Sequence, residues 1–118
     1  MERPESVAEI LAIQDQPVVA IDQNGKFYFI NDSFTETYGW TQADLLGKMV
    51  TEIIPENLRN AHTVGFARFL STEQPKVAGQ ALPLKIQFKD GSVLDAEHFI
   101  LGEKKDGIWQ FAATITKR

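Results

Sequence analysis

Two histidines, His62 and His98, have the widest chemical latitude of any side chains in this 118-residue sequence. An imidazole titrates near neutral pH and serves as a metal ligand, a hydrogen-bond donor or an acceptor. His62 shares a stripe with Leu58, Gly65, Phe66 and Phe69, which fall at i, i+4, i+7, i+8 and i+11 and so mark one face of a helix. There it is either a hydrogen-bonded core histidine or a contact to a ligand. His98 lies in a strand-like run from Val93 to Gly102, where it faces either an interior or a solvated strand edge. With the amide of Gln80, these two rings are the groups from which a convergent polar site can be built.

The rest of the chain narrows the chemistry by exclusion. With no cysteine there is no disulfide, thiolate nucleophile or Cys-bound metal cluster, which suits the cytoplasm. There is no G-x-S-x-G elbow, phosphate loop, H-E-x-x-H helix or dinucleotide fingerprint. Glu97 beside His98 is not a catalytic pair, because neighbours on a strand point to opposite faces. A catalytic role for this chain is therefore not expected. A net charge of −4 disfavours binding to nucleic-acid phosphates. No apolar run approaches the roughly 20 residues of a membrane span. Met1-Glu-Arg-Pro-Glu5 lacks a secretory pattern. Ordinary hydrophobic (43%) and charged (24%) contents at this length predict one globular domain.

The elements that must position these groups are legible from turn and cap residues. Asn24-Gly25 between two short apolar runs predicts an antiparallel hairpin with strands at about Val18 to Asp22 and Lys26 to Ile30. Asn31 or Asp32 caps a helix at about Asp32 to Tyr38, a short helix follows at about Gln42 to Leu46, and a turn through Met49 to Ile54 stops at Pro55. A long helix from about Glu56 to Ser71 carries His62. Strands at about Val77 to Phe88, Val93 to Gly102 and Ile108 to Thr116 are joined by two Asp-Gly turns, and Val7, Ile10 and Leu11 form a short amphipathic helix before the first strand. The order β-β-α-α-α-β-β-β is an α+β plan, an antiparallel sheet with helices grouped on one face.

Asn31, Phe34, Gly39 and Trp40 fill an N-x-x-F-x-x-x-x-G-(Y/W) pattern, and Thr41-Gln-Ala-Asp-Leu-Leu-Gly47 ends in Leu-Gly. In these residues the chain resembles the PAS sensory domains of bacterial signalling proteins, over about residues 15–118, with residues 1–14 as a flanking helix. The resemblance implies a five-stranded antiparallel sheet with helices on one face. It also implies a module that binds a small ligand or cofactor between helices and sheet and relays its state to a partner or fused output domain. The alternative is a ligand-free dimerisation and protein-interaction domain.

The run Ile54 to His62, with Arg68 six residues on, is similar to the long helix of oxygen-sensing members. The resemblance implies haem b ligated through His62 with Arg68 near a propionate. It departs where a distal arginine or methionine is expected, since Gln80 and Leu82 stand there. Lacking cysteine, the chain has no covalent flavin or chromophore attachment, and noncovalent flavin is a lesser option. The same match assigns to the pocket His62, Phe66 and Phe69 from the helix, and Val77, Gln80, Leu82 and Leu84 from the next strand. From the last two strands it adds Ala96, His98 and Ile100, then Gln110 and Ala112. Opposite them it puts Phe99, Trp109 and Phe111 on an outer apolar face which, with Val7, Ile10 and Leu11, is the surface through which such domains commonly form a homodimer. Thr114 stands where the family usually has an aspartate before the output connection.

Overall fold

A computed structural model describes residues 3–72 and 81–117, with Phe69 and Thr72 described in their backbone only. Asn24-Gly25 turns the chain because Gly25 adopts φ 81°, a conformation that costs glycine nothing. The Asp22 carboxylate accepts from the backbone N–H groups of Asn24 and Lys26 and locks the turn. This hairpin joins β1 (Val18–Asp22) to β2 (Phe27–Ile30). Before it lies α1 (Val7–Leu11), and after it α2 (Asp32–Tyr38), α3 (Gln42–Leu45), a 3₁₀ turn (Val50–Ile53) and α4 (Glu56–Thr72). The chain closes with β3 (Ala81–Gln87), β4 (Val93–Lys105) and β5 (Ile108–Lys117). β4 continues three residues beyond its expected end, because the Asp106-Gly107 turn carries both residues at positive φ and lets Lys105 pair with Ile108.

The five strands form one antiparallel sheet in the order β2-β1-β5-β4-β3. One face carries α2, α3, the 3₁₀ turn and α4; there Phe27, Phe34, Tyr38, Leu45 and Ile53 pack on Val19, Ile21, Ile86, Ala96, Ala113 and Ile115. The other face is closed by α1, whose Val7 and Ile10 cover Val18, Ala20, Phe99 and Ala112. Burying each large apolar side chain contributes about 1.5–3 kcal/mol, so these two layers supply most of the driving force for folding.

Polar side chains fasten the layers at a few buried points. Asn31 Oδ1 accepts from the Phe34 N–H as the α2 cap and from the Val18 N–H, while its Nδ2 donates to the carbonyls of Ile13 and Gln16. One amide therefore ties β1, α2 and the segment entering β1. The Tyr38 hydroxyl, at the end of α2, donates to the Ile115 carbonyl at 2.7 Å. Burial pushes that phenol up to about 12. Trp40 Nε1 donates to the Gln87 carbonyl at 2.9 Å and ties the α2–α3 corner to the edge strand.

Candidate functional site

α4 docks less deeply than the other elements on its face, since no side chain described on it is fully buried. Leu58 and Gly65 are exposed, so the packed face is not the stripe expected from them; it runs instead through Arg59, His62, Phe66 and Leu70, all half-buried. This is still one helical face, rotated by about one position, because α4 meets the first hairpin as well as the sheet. The 3₁₀ turn is held to that hairpin by the Val50 N–H, which donates to the Gly25 carbonyl at 2.7 Å.

Between α4, the 3₁₀ turn and the β1–β2 turn lies a cleft of about 300 Å³. His62, Phe66 and Leu70 form its helical wall, Val50 and Thr51 its floor, and Gln23 to Gly25 the opposite side. Burial holds the His62 imidazole below its ordinary value of 6.5, so the ring is neutral at pH 7. Its plane is nearly parallel to that of Phe66, at 15° with centroids 6.1 Å apart. Phe66 then meets Phe111 edge-on at 5.4 Å, and Phe111 stacks with Trp109 at 5.9 Å. A continuous row of rings thus runs from the cleft to the start of β5.

β4 presents Ala96, His98 and Ile100 to the helical side, Ala96 and Ile100 packing in its core and His98 aligned with them by strand alternation. Across β3, Leu82 pairs with His98 and Leu84 with Ala96, which puts both on that side as well. His98 is only 9% exposed and its Nδ1 lies 3.3 Å from the Ala96 carbonyl oxygen. Burial lowers its pKa, partly offset by that backbone contact. His98, Leu82, Leu84, Ala96 and Ile100 are not among the residues lining the His62 cleft, and Leu84 is 42% exposed. The two histidines therefore occupy separate environments. Val77 and Gln80 lie outside the described residues, as does the side chain of Phe69. Arg68 is exposed on α4.

On β5 the expected faces are reversed. Trp109 and Phe111 pack with Ala113 and Ile115 on the helical side, whereas Ala112 joins the α1 layer and Gln110, its neighbour in the alternation, shares that outer face. The reason is register: Lys105 pairs with Ile108, so even-numbered residues of β4 stand opposite odd-numbered residues of β5. A slip of one residue exchanges the two faces of a strand. Gln110 and Ala112 thus leave the interior, and Trp109 and Phe111 leave the outer apolar face. What remains of that face, Val7, Ile10, Leu11 and Phe99, is covered within the chain itself.

Sequence reasoning missed the hairpin side of the cleft, Gln23 to Gly25 with Met49 to Thr51, because its proximity to His62 arises only when α4 folds back. A second depression of about 600 Å³ lies on the outer face between the residues preceding β1, Glu97 and Phe99 of β4, and Thr114 and Thr116 of β5. It is bridged by an Arg3–Glu97 ion pair at 3.4 Å and lies on the opposite face of β4 from His98, whose strand neighbours Glu97 and Phe99 line it. Among the described residues no cluster of His, Asp and Glu is arranged to hold a metal ion, and no helix is long and apolar enough to cross a membrane.

Comparison with known proteins follows this architecture. The chain is 23% identical over 105 residues to the sensor protein FixL of Bradyrhizobium diazoefficiens, a match covering 89% of this chain and 21% of that protein. It is 27% identical over 74 residues to the oxygen sensor protein DosP of Escherichia coli, covering 63% of this chain and 9% of that protein. The chain thus spans only about a fifth or less of the length of these relatives. Among solved structures it superposes on a PAS domain from Desulfitobacterium hafniense with a TM-score of 0.72 at 18% identity, covering 92% of this chain and 96% of that one. It likewise superposes on the PAS domain of the fruit-fly ELK potassium channel with a TM-score of 0.68 at 16% identity, over 94% of this chain and 93% of that one. The family model for the PAS fold matches residues 5–98, and the chain belongs to the PAS family.

Proposed function

We propose that this chain is the sensory module of a signalling protein, which reads a small ligand in the cleft beside His62 and passes its occupancy through the sheet to a fused output domain or a partner. The observation that carries this reading is the cleft itself: a neutral, half-buried imidazole in a mixed apolar and polar cavity formed where α4 meets the first hairpin. The similarity to two proteins named as sensors supports it. Signalling then requires the ligand to favour one arrangement of α4 against the sheet over another, since equal affinity for both shifts nothing. α4 suits that role because its shallow burial leaves it little held by the core. The absence of cysteine accords with a cytoplasmic setting.

Haem b satisfies one requirement at this site and fails two. A neutral imidazole on an apolar helix face is a competent iron ligand. The cleft, however, has about 300 Å³, the floor of the range for drug-sized ligands, and Phe66 and Phe111 fill the space between α4 and β5. Among the described lining residues there is also no cation for a propionate. Neither a tetrapyrrole nor a flavin nucleotide fits the cleft as folded, and the ligand assigned here is smaller.

The test is native mass spectrometry of the purified protein, with haem reconstitution in parallel. A small copurifying molecule whose retention is lost in Ala67→Trp, a variant that fills the cleft, is expected. A Soret band that His62→Ala abolishes would overturn the assignment of a small ligand. No retained molecule by any route would leave the alternative, a ligand-free dimerisation and interaction domain.

A further inference from the structure

We infer that the outer-face depression is a second binding site, separate from the His62 cleft, that takes an aliphatic diamine, and that Arg3 is its built-in competitor. Strand pairing builds the floor. Phe99 stands opposite Thr114 and Glu97 opposite Thr116, and because cross-strand partners share a face, all four side chains lie on the side where Phe99 meets α1. Arg3 and Glu9 from the N-terminal segment, with Ile13 and Asp15 before β1, complete a depression of about 600 Å³.

The charge of this site asks for a cation. The carboxylates of Glu9, Asp15 and Glu97 outnumber the one guanidinium among the lining residues, that of Arg3. Arg3 shows how a cation is received there: its guanidinium lies 3.4 Å from Glu97 Oε1 and 5.0 Å from the centre of the Phe99 ring. The ion pair is long and both side chains are exposed, so it contributes little and yields to a better-placed cation.

A bare metal ion has the wrong shape for these ligands. Among the described residues no group of Asp, Glu and His converges to hold one, and the three carboxylates come from α1, the link to β1 and β4. Pro4, Ile13 and Phe99 offer apolar surface in the same depression. Dispersed carboxylates beside apolar surface suit ammonium groups separated by a methylene stem, just as a lysine lays its stem on apolar surface and keeps its charge in water.

Thr114 supplies the anchor. It is only 7% exposed, strand alternation turns its side chain to this face, and its hydroxyl makes no hydrogen bond to any described residue. A buried hydroxyl left without a partner is costly, and an ammonium group satisfies it by donating to its oxygen.

1,5-Diaminopentane, pentylamine and 5-aminopentanoate share a five-carbon stem and differ in charge, so they separate these requirements. With ¹⁵N-labelled protein at pH 7 and low salt, the diamine is expected to shift the amide resonances of Asp15, Gln16, Phe99, Thr114 and Thr116. It should bind roughly tenfold more tightly than 5-aminopentanoate, with pentylamine between them. Asp15→Asn is expected to weaken the diamine about three- to fivefold, as the loss of one exposed charge pair. Thr114→Val strands no partner in the free protein, so it should keep the melting temperature and still weaken binding. Arg3→Ala is expected to tighten binding by removing the competitor; weaker binding in that variant would reject the competitor role. Silence from the diamine, equal binding of 5-aminopentanoate, or the same shifts with magnesium ion at equal concentration would overturn the site. So would unchanged affinity in both Asp15→Asn and Thr114→Val. Tighter binding of a blocked dilysine peptide than of the diamine would overturn the free-diamine assignment and give the depression to basic side chains of a partner.

Discussion

The ring of Phe111 lies against the α-carbon of its cross-strand partner Gly102, so closely that a β-carbon there would come within 2.8 Å of two ring atoms. The missing side chain on β4 makes room for the aromatic row that joins α4 to β5. Gly102→Ala is therefore expected to displace Phe111 and destabilise the fold by about 1–3 kcal/mol, the range for overpacking a core. Urea denaturation followed by tryptophan emission measures this. A loss smaller than about 0.5 kcal/mol would mean that the ring moves aside freely.

Asn31 satisfies four backbone groups with one amide. Asn31→Ala is expected to cost about 2–4 kcal/mol, combining a lost helix cap with newly unsatisfied buried groups. Asn31→Asp retains an acceptor for Val18 and Phe34 but has no donor for the Ile13 and Gln16 carbonyls. Its stability should fall between wild type and alanine, with hydrogen exchange rising first in the segment before β1. An aspartate variant as stable as wild type would show that the two carbonyl contacts contribute nothing.

Acid should weaken the fold through its histidines. Burial holds both His62 and His98 below 6.5, so between the folded and unfolded pKa values the unfolded chain binds more protons. Stability is then complete above about pH 6.5, declines as pH falls through that value, and levels off below the folded pKa values. His98→Phe is expected to flatten much of this dependence in melting curves between pH 5 and 7.5. Asp44 and Asp90, lowered by hydrogen bonds chiefly to the Thr41 N–H and to the Ser92 hydroxyl, act below 3.8 and outside this window. An undiminished slope in the His98 variant would contradict the burial argument.

α1 closes an apolar face that would otherwise meet water, with Ile10 fully buried and Phe99 beneath it. Deleting residues 1–11 is expected to raise the solution mass measured by size exclusion with light scattering, because the exposed patch then seeks another copy. An unchanged mass in a folded truncation would show that this face does not drive self-association.

The local chemistry of turns and caps was readable before any coordinates. Asn24-Gly25, a cap at Asn31 or Asp32 and the Pro55 stop each act on backbone groups a few residues away, so neighbours in the chain suffice to specify them; the structure settles the cap on Asn31 and ends α2 at Gly39 with φ 87°. Together with the family pattern they determined the element order and the antiparallel sheet, and they put His62 on a long helix. The parity of β5 differs from the expected one because the two-residue Asp106-Gly107 turn pairs Lys105 with Ile108, and that register, not the pattern of β5 alone, decides which of its faces turns inward.

Only the tertiary structure decided which groups meet. That His62 faces Gln23 and Gly25 and not His98, and that α1 covers Phe99, depends on how α4 and the N-terminal helix dock on the sheet. Such contacts span tens of residues in the chain and are selected by the summed burial of whole faces, a quantity that no local motif encodes.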